Sequence, residues 1–237
     1  MAAHLQTLEI VSVNVGMPAV LLARPSGDIV SGIDKRPVAG SSRRLTHTNL
    51  EGDGQADTKA SRFGGQVHGG PDQAVYAFPA EHYARVAATL RRPVAPGFVG
   101  ENLTVRGATE AAVRIGDVWA WGAAQLQVTG PRTPCYKLGL RLGRQALRRW
   151  VRAAGVVGWY LRVLRPGTVP TTPTTGRIVV AACHPAGVTV LEVHRALDGG
   201  GIGPEHLRHL APLVGKARRT LQVAGPDITG GVLVRDG

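Results

Sequence analysis

Short runs in which apolar and polar residues alternate recur along most of the chain, and a period of two is typical of β-strands with one buried face. Clusters of Gly, Pro and Ser separate these runs, as expected where tight turns join the strands. The pattern therefore predicts a chain that is mainly β. The predicted strands are residues 5–22, 29–38, AVYAF (74–78), VGENLTV (99–105), IGDVWAWG (115–122), AQLQVTG (124–130) and GWYLRVLRPGTV (158–169).

Two stretches have the 3.6-residue period of amphipathic helices instead. The apolar face of the first consists of Tyr83, Val86, Ala87 and Leu90. The apolar face of the second consists of Leu147, Trp150, Val151 and Ala154, and Gly155 is placed to end that helix. Because strands dominate and do not alternate with helices, we expect a closed or partly closed β-barrel with short helices outside it.

The pattern changes near the end of the chain. Thr189 and Glu192 match a capping box, and Val190, Val193 and Leu197 follow on one helical face. Pro204 is placed to open a second helix, and residues 216–223 could form a third. We expect two parts, a barrel domain over residues 1–185 and a small three-helix extension over residues 186–237.

Composition narrows the class of protein. The 237 residues are 43% hydrophobic, which is enough for a sizeable core, yet they contain no apolar run long enough to span a membrane. The N-terminal residues lack the pattern of a signal peptide, so we expect a cytoplasmic protein without a membrane partner. The two cysteines lie far apart without CxxC spacing, so neither a disulfide framework nor a zinc ribbon is suggested, and they are too few for a four-cysteine iron–sulfur cluster.

The net charge of +12 raises the question of nucleic-acid binding. No helix-turn-helix, zinc-finger or aromatic RNA-binding signature accompanies it, so we expect no nucleic-acid partner. Scattered surface arginines are one explanation of the charge. Basic groups that face an anionic ligand, such as a phosphate-bearing cofactor, are the other.

Cys135 is the main candidate for chemistry, in the run GPRTPCYKL directly after a predicted strand. Pro131 and Pro134 would stiffen the turn that carries it. Arg132 and Lys137 would favour the thiolate, the form that binds metals and attacks electrophiles. The alternative is a buried, inert thiol, which is common for free cysteine. Cys183, in the apolar run VVAACHPA, is predicted to be such a buried structural thiol.

Three further segments contain polar residues suited to a ligand. In VHGGPD, His68, Gly69, Gly70 and Asp72 offer an imidazole, two unobstructed amides and a carboxylate, although a lone histidine in a loop is often structural. Lys35 and Arg36, in IDKRPV, could bind phosphate or carboxylate, although such a basic pair is usually a surface feature. Asn102, in GENLT, could face a ligand or cap a turn.

Taken in order, these motifs resemble one family. IDKRPV, GDGQAD, VHGGPDQAVYAF, GENLTV, IGDVWAWG, GPRTPC and GWYLRVLRPG are similar to the MOSC domain, named for the C-terminal domain of molybdenum cofactor sulfurase, in its stand-alone bacterial YiiM-like branch. The resemblance covers roughly residues 8–180, and the C-terminal helices are similar to the extension of that branch. It implies a MOSC-type β-barrel that binds the molybdenum cofactor, Mo-molybdopterin, with Cys135 as the metal ligand.

The same resemblance implies roles for other residues. Lys35, Arg36, His68, Asp72, Asn102, Arg132 and Thr133 match positions around the cofactor. The glycine amides of residues 69 and 70 are further candidates for cofactor contacts, and His68 or Asp72 is a candidate proton donor beside the catalytic Cys135. One departure is Gly54, because related eukaryotic members carry an arginine after the aspartate that corresponds to Asp53.

Members of the branch are similar to reductases of N-hydroxylated compounds, so we expect a pyridoxal phosphate-independent oxidoreductase that acts on substrates such as hydroxylaminopurines. Since the chain has no flavin or dinucleotide fingerprint, its electrons must come from an external reductase. An alternative is a carrier of sulfur or of the cofactor that uses the same cysteine. A monomer or a homodimer fits the sequence.

Overall fold

The computed structural model describes residues 7–56, 58, 68–172, 177–185 and 187–198. Its strands are β1 (Thr7–Val15), β2 (Ala19–Leu22), β3 (Ile29–Ser31), β4 (Arg36–Pro37), β5 (Ser42–Leu45), β6 (Val75–Pro79), β7 (Leu103–Arg106), β8 (Val118–Trp121), β9 (Ala124–Pro131), β10 (Trp159–Arg165), β11 (Gly167–Pro170) and β12 (Arg177–Ala182). Its α-helices are α1 (Tyr83–Leu90), α2 (Tyr136–Leu142), α3 (Gln145–Ala153) and α4 (Val190–Leu197). Two 3-10 turns, Pro71–Gln73 and Ala80–His82, flank β6.

Seven of the strands close into a barrel in the order β1-β12-β8-β9-β10-β6-β7, and β7 returns to β1. All neighbours in this ring are antiparallel except β6 and β7, which are parallel. Closure leaves no free edge within the ring, which removes the hazard that unpaired strand edges present. The prediction of a mainly β chain with a closed barrel is confirmed.

Large apolar side chains fill the barrel. Trp119, Trp121 and Trp159 are fully buried, and the rings of Trp119 and Trp159 meet edge to face with their centroids 5.7 Å apart. Aromatic rings prefer this arrangement because the positive edge of one meets the negative face of the other. A second apolar cluster, centred on Phe78 and Leu138, joins the barrel wall to α1, α2 and α3. These three helices are therefore held on one side of the barrel.

The sequence pattern located α1 and α3 correctly but missed α2. The seven residues of α2 (YKLGLRL) follow directly after Cys135, and Gly143, with φ of 66°, ends the helix. The leucines of α2, Leu138, Leu140 and Leu142, are spaced two residues apart and so lack the helical period, and Pro134 favoured the prediction of a turn. The error matters because α2 begins at the main candidate residue.

The predicted strand over residues 29–38 is wrong in its middle. It consists of two short strands, β3 and β4, separated by a loop in which the amide of Lys35 bonds to the carbonyl of Ile33 at 3.0 Å. Alternation cannot distinguish one strand from two strands joined by a tight turn. The interruption puts Lys35 in a loop instead of within the predicted strand.

The capping box that was predicted for α4 is present, with Thr189 and Glu192 bonded reciprocally to each other's backbone amides. Val190 and Val193 are fully buried and belong to the apolar cluster of the barrel. Helix α4 therefore packs on the barrel itself. The predicted helices after Pro204 lie outside the described residues.

Across the described parts of the chain, the search for a helix long and apolar enough to cross a membrane finds none.

Candidate functional site

A cavity of about 130 Å³ lies where the β3–β4 loop, the segment after β5 and the β9–α2 turn meet the strands β6 and β10. Short loops at strand ends are where a rigid barrel can hold polar side chains close together. The polar side chains on its wall include Lys35, Asp53, His68, Arg132, Cys135 and Tyr160.

Cys135 is half-buried on the cavity wall at the N-terminal end of α2. Burial alone would raise the pKa of its thiol. A hydrogen bond with His68, the positive charge of Arg132 and the backbone amide of Lys137 oppose burial, and the pKa is lowered to about 7. A thiol with such a pKa is partly ionised near neutral pH, so Cys135 is an available soft ligand or nucleophile.

Arg132 is a buried cation on the same wall. Its guanidinium lies over the ring of Tyr76, 5.0 Å from the centroid, and is hydrogen-bonded to Tyr160. Burial acts to lower the pKa of Arg132, but the neighbouring Tyr76, Tyr160 and Cys135 raise it above its ordinary value. The group stays charged, and a buried cation that faces a cavity attracts anionic ligands.

Lys35 faces the cavity and is ion-paired with Asp53. The Asp53 carboxylate also accepts the backbone amide of Gly16 at 2.9 Å and the Nδ2 amide of Asn102 at 2.9 Å. Burial lowers the pKa of Lys35 from its ordinary value, and Asp53 and Glu101 act against that shift. The aspartate of the GDG turn thus fixes the position of the lysine.

Asn102 lies behind the cavity wall and is 4% exposed. Its Oδ1 accepts the amide of Tyr76 at 3.1 Å, and its Nδ2 donates to Asp53 and, at 3.3 Å, to the carbonyl of Asn14. The side chain therefore ties β1, β6 and the Asp53 turn together.

The HGG segment approaches the cavity closely. His68 and Gly69 line the wall, and Gly69 and Gly70 have positive φ angles of 72° and 86°. The amide of Gly70 donates to Oε1 of Gln55 at 2.8 Å. A Cβ at Gly69 would lie 2.3 Å from the same oxygen, so the glycine allows Gln55 to pass beneath the turn.

Five residues that the sequence grouped with the site are absent from the cavity wall: Asn102 and Gly70, described above, and Asp72, Arg36 and Thr133. Asp72 lies near Arg162, with Oδ1 3.7 Å from Nη1, and is absent from the lining. Arg36 is exposed and paired with Asp34 at 3.2 Å. Thr133 is exposed on the β9–α2 turn.

The prediction for Cys183 is wrong. Its thiol is exposed, just beyond the end of β12, and is not buried in the core. The apolar run that suggested burial ends with the strand at Ala182, so the residue after it faces solvent.

Tyr76, Tyr160 and Lys137 line the cavity but were not predicted as site residues. Tyr76 and Tyr160 are register partners on β6 and β10, and Lys137 donates from Nζ to the carbonyl of Val30 at 2.9 Å. Polar aromatic residues inside otherwise apolar strands were the available signal for the tyrosines. For Lys137 the available signal was its place two residues after Cys135, which suggested an effect on the thiol. Its position on the cavity wall depends on the helix that the pattern missed.

Comparison with known proteins identifies the class. A model of the MOSC domain matches residues 64–172, and the chain is 44% identical to the uncharacterized protein YflK of Bacillus subtilis over 160 residues, 68% of each chain. The chain therefore belongs to the MOSC domain family.

A solved structure, that of YiiM from Geobacillus stearothermophilus, is similar with a TM-score of 0.71 and 26% identity, covering 92% of this chain and 100% of that one. A protein of Gibberella moniliformis named "Reductase" is 30% identical over 159 residues, 64% of this chain and 28% of that protein.

Proposed function

We propose that this protein is a molybdenum-cofactor-dependent reductase of N-hydroxylated compounds, in which the Cys135 thiolate is the protein ligand of the metal. One observation carries the proposal: a thiol with a pKa lowered to about 7 faces a cavity whose wall contains the cations Lys35, Arg132 and Lys137. Family membership supports the association with molybdenum cofactor, and the name of the Gibberella relative supports reduction.

The donor set fits such a cofactor. Molybdopterin offers anionic sulfur and phosphate groups, which buried cations can hold, while a thiolate is the soft ligand that suits a soft metal site. Among the described residues, no group of three or more His, Cys, Asp or Glu side chains could hold a metal ion by itself. A metal held by one cysteine must bring its other ligands with it, as this cofactor does. The cavity, small for a ligand site, would enclose one end of it.

The residues of the chain have distinct parts in this proposal. Reduction of R–NH–OH consumes two electrons and two protons and gives R–NH₂ and water. When bound, the cofactor supplies the two-electron chemistry. Cys135 would ligate it, and Arg132 and Lys35 would hold its anionic groups. His68, hydrogen-bonded to the thiol, is the better placed of the two candidate proton donors, because Asp72 lies off the cavity wall. The electrons would come from a separate reductase.

The runner-up is a carrier that holds sulfur as a persulfide on Cys135, or holds the cofactor for delivery. The same lowered pKa favours it, because a thiolate is also the nucleophile in persulfide transfer.

The test is metal and pterin analysis of protein made in a cofactor-competent host, followed by turnover of 6-hydroxylaminopurine with a chemical reductant. Stoichiometric molybdenum with turnover supports the reductase. Cyanide-labile sulfur on Cys135 without turnover supports the carrier and contradicts the reductase.

The two cysteines provide matched variants. Cys135→Ser replaces a readily ionised sulfur with a hard hydroxyl, so turnover should be abolished even where phosphate contacts retain some cofactor. Cys183→Ser, at an exposed position, should keep activity and stability. Normal turnover by the Cys135 variant would show that the metal ligand is wrongly assigned.

A further inference from the structure

Most of the net charge of the chain comes from two short segments. Residues 83–92 and 136–153 contain eight arginines, one lysine and no acidic residue, against a net charge of +12 for the whole chain. These segments are α1 with the residues that follow it, and α2 with α3. The second apolar cluster holds all three helices against one side of the barrel, so their charge is concentrated there.

Six of these arginines are exposed and form no ion pair with any described residue: Arg85, Arg91, Arg92, Arg144, Arg148 and Arg149. We name them the arginine face. The other two arginines are paired, Arg141 with Asp34 at 2.6 Å and Arg152 with Asp198 at 2.7 Å.

Contacts between helices make the arginine face continuous. Arg85 of α1 lies over the ring of Trp150 of α3, 5.8 Å from its centroid. Arg144, at the start of α3, donates to the carbonyl of Thr89 in α1 at 2.8 Å. The arginines of α1 and α3 are therefore neighbours on one surface and not charges spread over the molecule.

One helix connects this surface to the cavity. Helix α2 begins directly after Cys135, and its seven residues span about 10 Å at 1.5 Å per residue. At its other end, the carbonyl of Leu142 accepts Nη2 of Arg92 at 3.5 Å. The arginine face thus lies about one short helix away from the thiol.

We propose that the arginine face is the docking surface for an acidic electron-donor protein that carries a flavin or an iron–sulfur cluster. The proposal rests on the proposed function, because N–OH reduction needs two electrons and the chain has too few cysteines for a cluster of its own. Electrostatic complementarity raises the rate at which partners meet and sets their orientation. A donor that docks on this face would be held close to the site that uses its electrons.

Two other occupants are less consistent with these observations. Residues 199–237 contain five basic and three acidic residues, so they offer no complementary charge. A nucleic acid would also match the positive charge. However, nucleic-acid binding would not explain why the arginine face lies only one short helix away from Cys135. The position of the face beside the cavity therefore favours a redox protein.

The test uses two triple variants with the same change in net charge. Arg91, Arg148 and Arg149 are changed to Gln in the face variant. Arg44, Arg165 and Arg177, which are exposed on the strands β5, β10 and β12, are changed to Gln in the control. Binding of flavodoxin, an acidic flavin protein, is measured by calorimetry at low and high salt. Turnover of 6-hydroxylaminopurine by molybdenum-loaded protein is measured with reduced flavodoxin and, separately, with reduced methyl viologen.

At low salt, we expect the face variant to show roughly tenfold weaker affinity for flavodoxin and a roughly tenfold lower turnover rate with reduced flavodoxin. The control variant should resemble wild type in both measurements. Turnover with methyl viologen should be the same for all three. Equal flavodoxin binding by both variants, or a preference of the arginine face for duplex DNA at high salt, would overturn the docking site. Failure of wild type to turn over with methyl viologen would instead contradict the proposed function, while face-specific binding would still support the docking site.

Discussion

At the scale of single residues, the reactivity of Cys135 depends on opposing effects that sequence could name only in part. The basic neighbour Arg132 was visible in the GPRTPC motif, and its charge does favour the thiolate. The hydrogen bond with His68 joins residues 67 positions apart, and only the fold brings them together. The contacts of Cys135 with residues nearby in sequence were therefore predictable, and its contact with the distant His68 was not.

The pKa of Cys135 can be measured directly by alkylation. In cofactor-free protein that carries Cys183→Ser, the rate of reaction with iodoacetamide should rise with pH, pass its midpoint near 7 and level off above it, because only the thiolate reacts. His68→Ala removes a hydrogen bond that lowers the pKa, so the midpoint should move to higher pH. An unchanged midpoint in this variant would show that His68 does not act on the thiol.

Lys35 and Asp53 form a buried pair, and each should be costly to remove alone. Lys35→Ala leaves a buried carboxylate, and Asp53→Asn leaves a buried ammonium, so each should lower the free energy of unfolding by about 3–5 kcal/mol. The double variant leaves neither charge and should lose clearly less than the sum. Urea unfolding of the cofactor-free variants measures this coupling, and strictly additive losses would mean that the two groups do not interact.

At the scale of secondary-structure elements, a clear apolar period predicted helices and strands reliably. Elements without a clear period were missed. The apolar stripes of α1 and α3 and the strands β8 and β9 were located correctly from their sequence patterns. Helix α2 and the break between β3 and β4 were missed, and these are the elements that orient Cys135, Lys137 and Lys35. Cys135 and Lys35 lie in loops that connect secondary-structure elements. In such loops, tertiary contacts determine the backbone conformation, and the local sequence does not reveal it.

Helix α2 is held in place by Leu138, which is fully buried in the second apolar cluster. Leu138→Ala should cost about 2–5 kcal/mol of unfolding free energy through the cavity that it creates. Leu140→Ala, at a half-buried position of the same helix, should cost less. Because α2 carries the amide that helps to lower the pKa of Cys135, the Leu138 variant should also shift the alkylation midpoint upward. If the variant loses much stability but its alkylation midpoint does not shift, the packing of α2 does not control the pKa of the Cys135 thiol.

At the scale of the whole molecule, the barrel was predictable because its strands are short, numerous and separated by turn residues. The order of strands was not, since the parallel neighbours β6 and β7 are set by contacts between distant parts of the chain. The boundary at residue 185 also came from a local change in composition. Sequence composition does not reveal that α4 contributes Val190 and Val193 to the barrel cluster.

Truncation tests where the barrel domain ends. A chain that stops after Pro185 loses α4, and with it two fully buried valines and the backbone bond from Val190 to Val113 at 2.8 Å. Each valine should account for about 1.5–3 kcal/mol, so this chain should unfold at clearly lower urea concentration. A chain that stops after Asp198 keeps α4 with its capping box and should retain the barrel, the Cys135 alkylation profile and cofactor binding, because every cavity residue precedes it. Equal stability of the two truncated chains would show that α4 is dispensable and that the domain ends near residue 185.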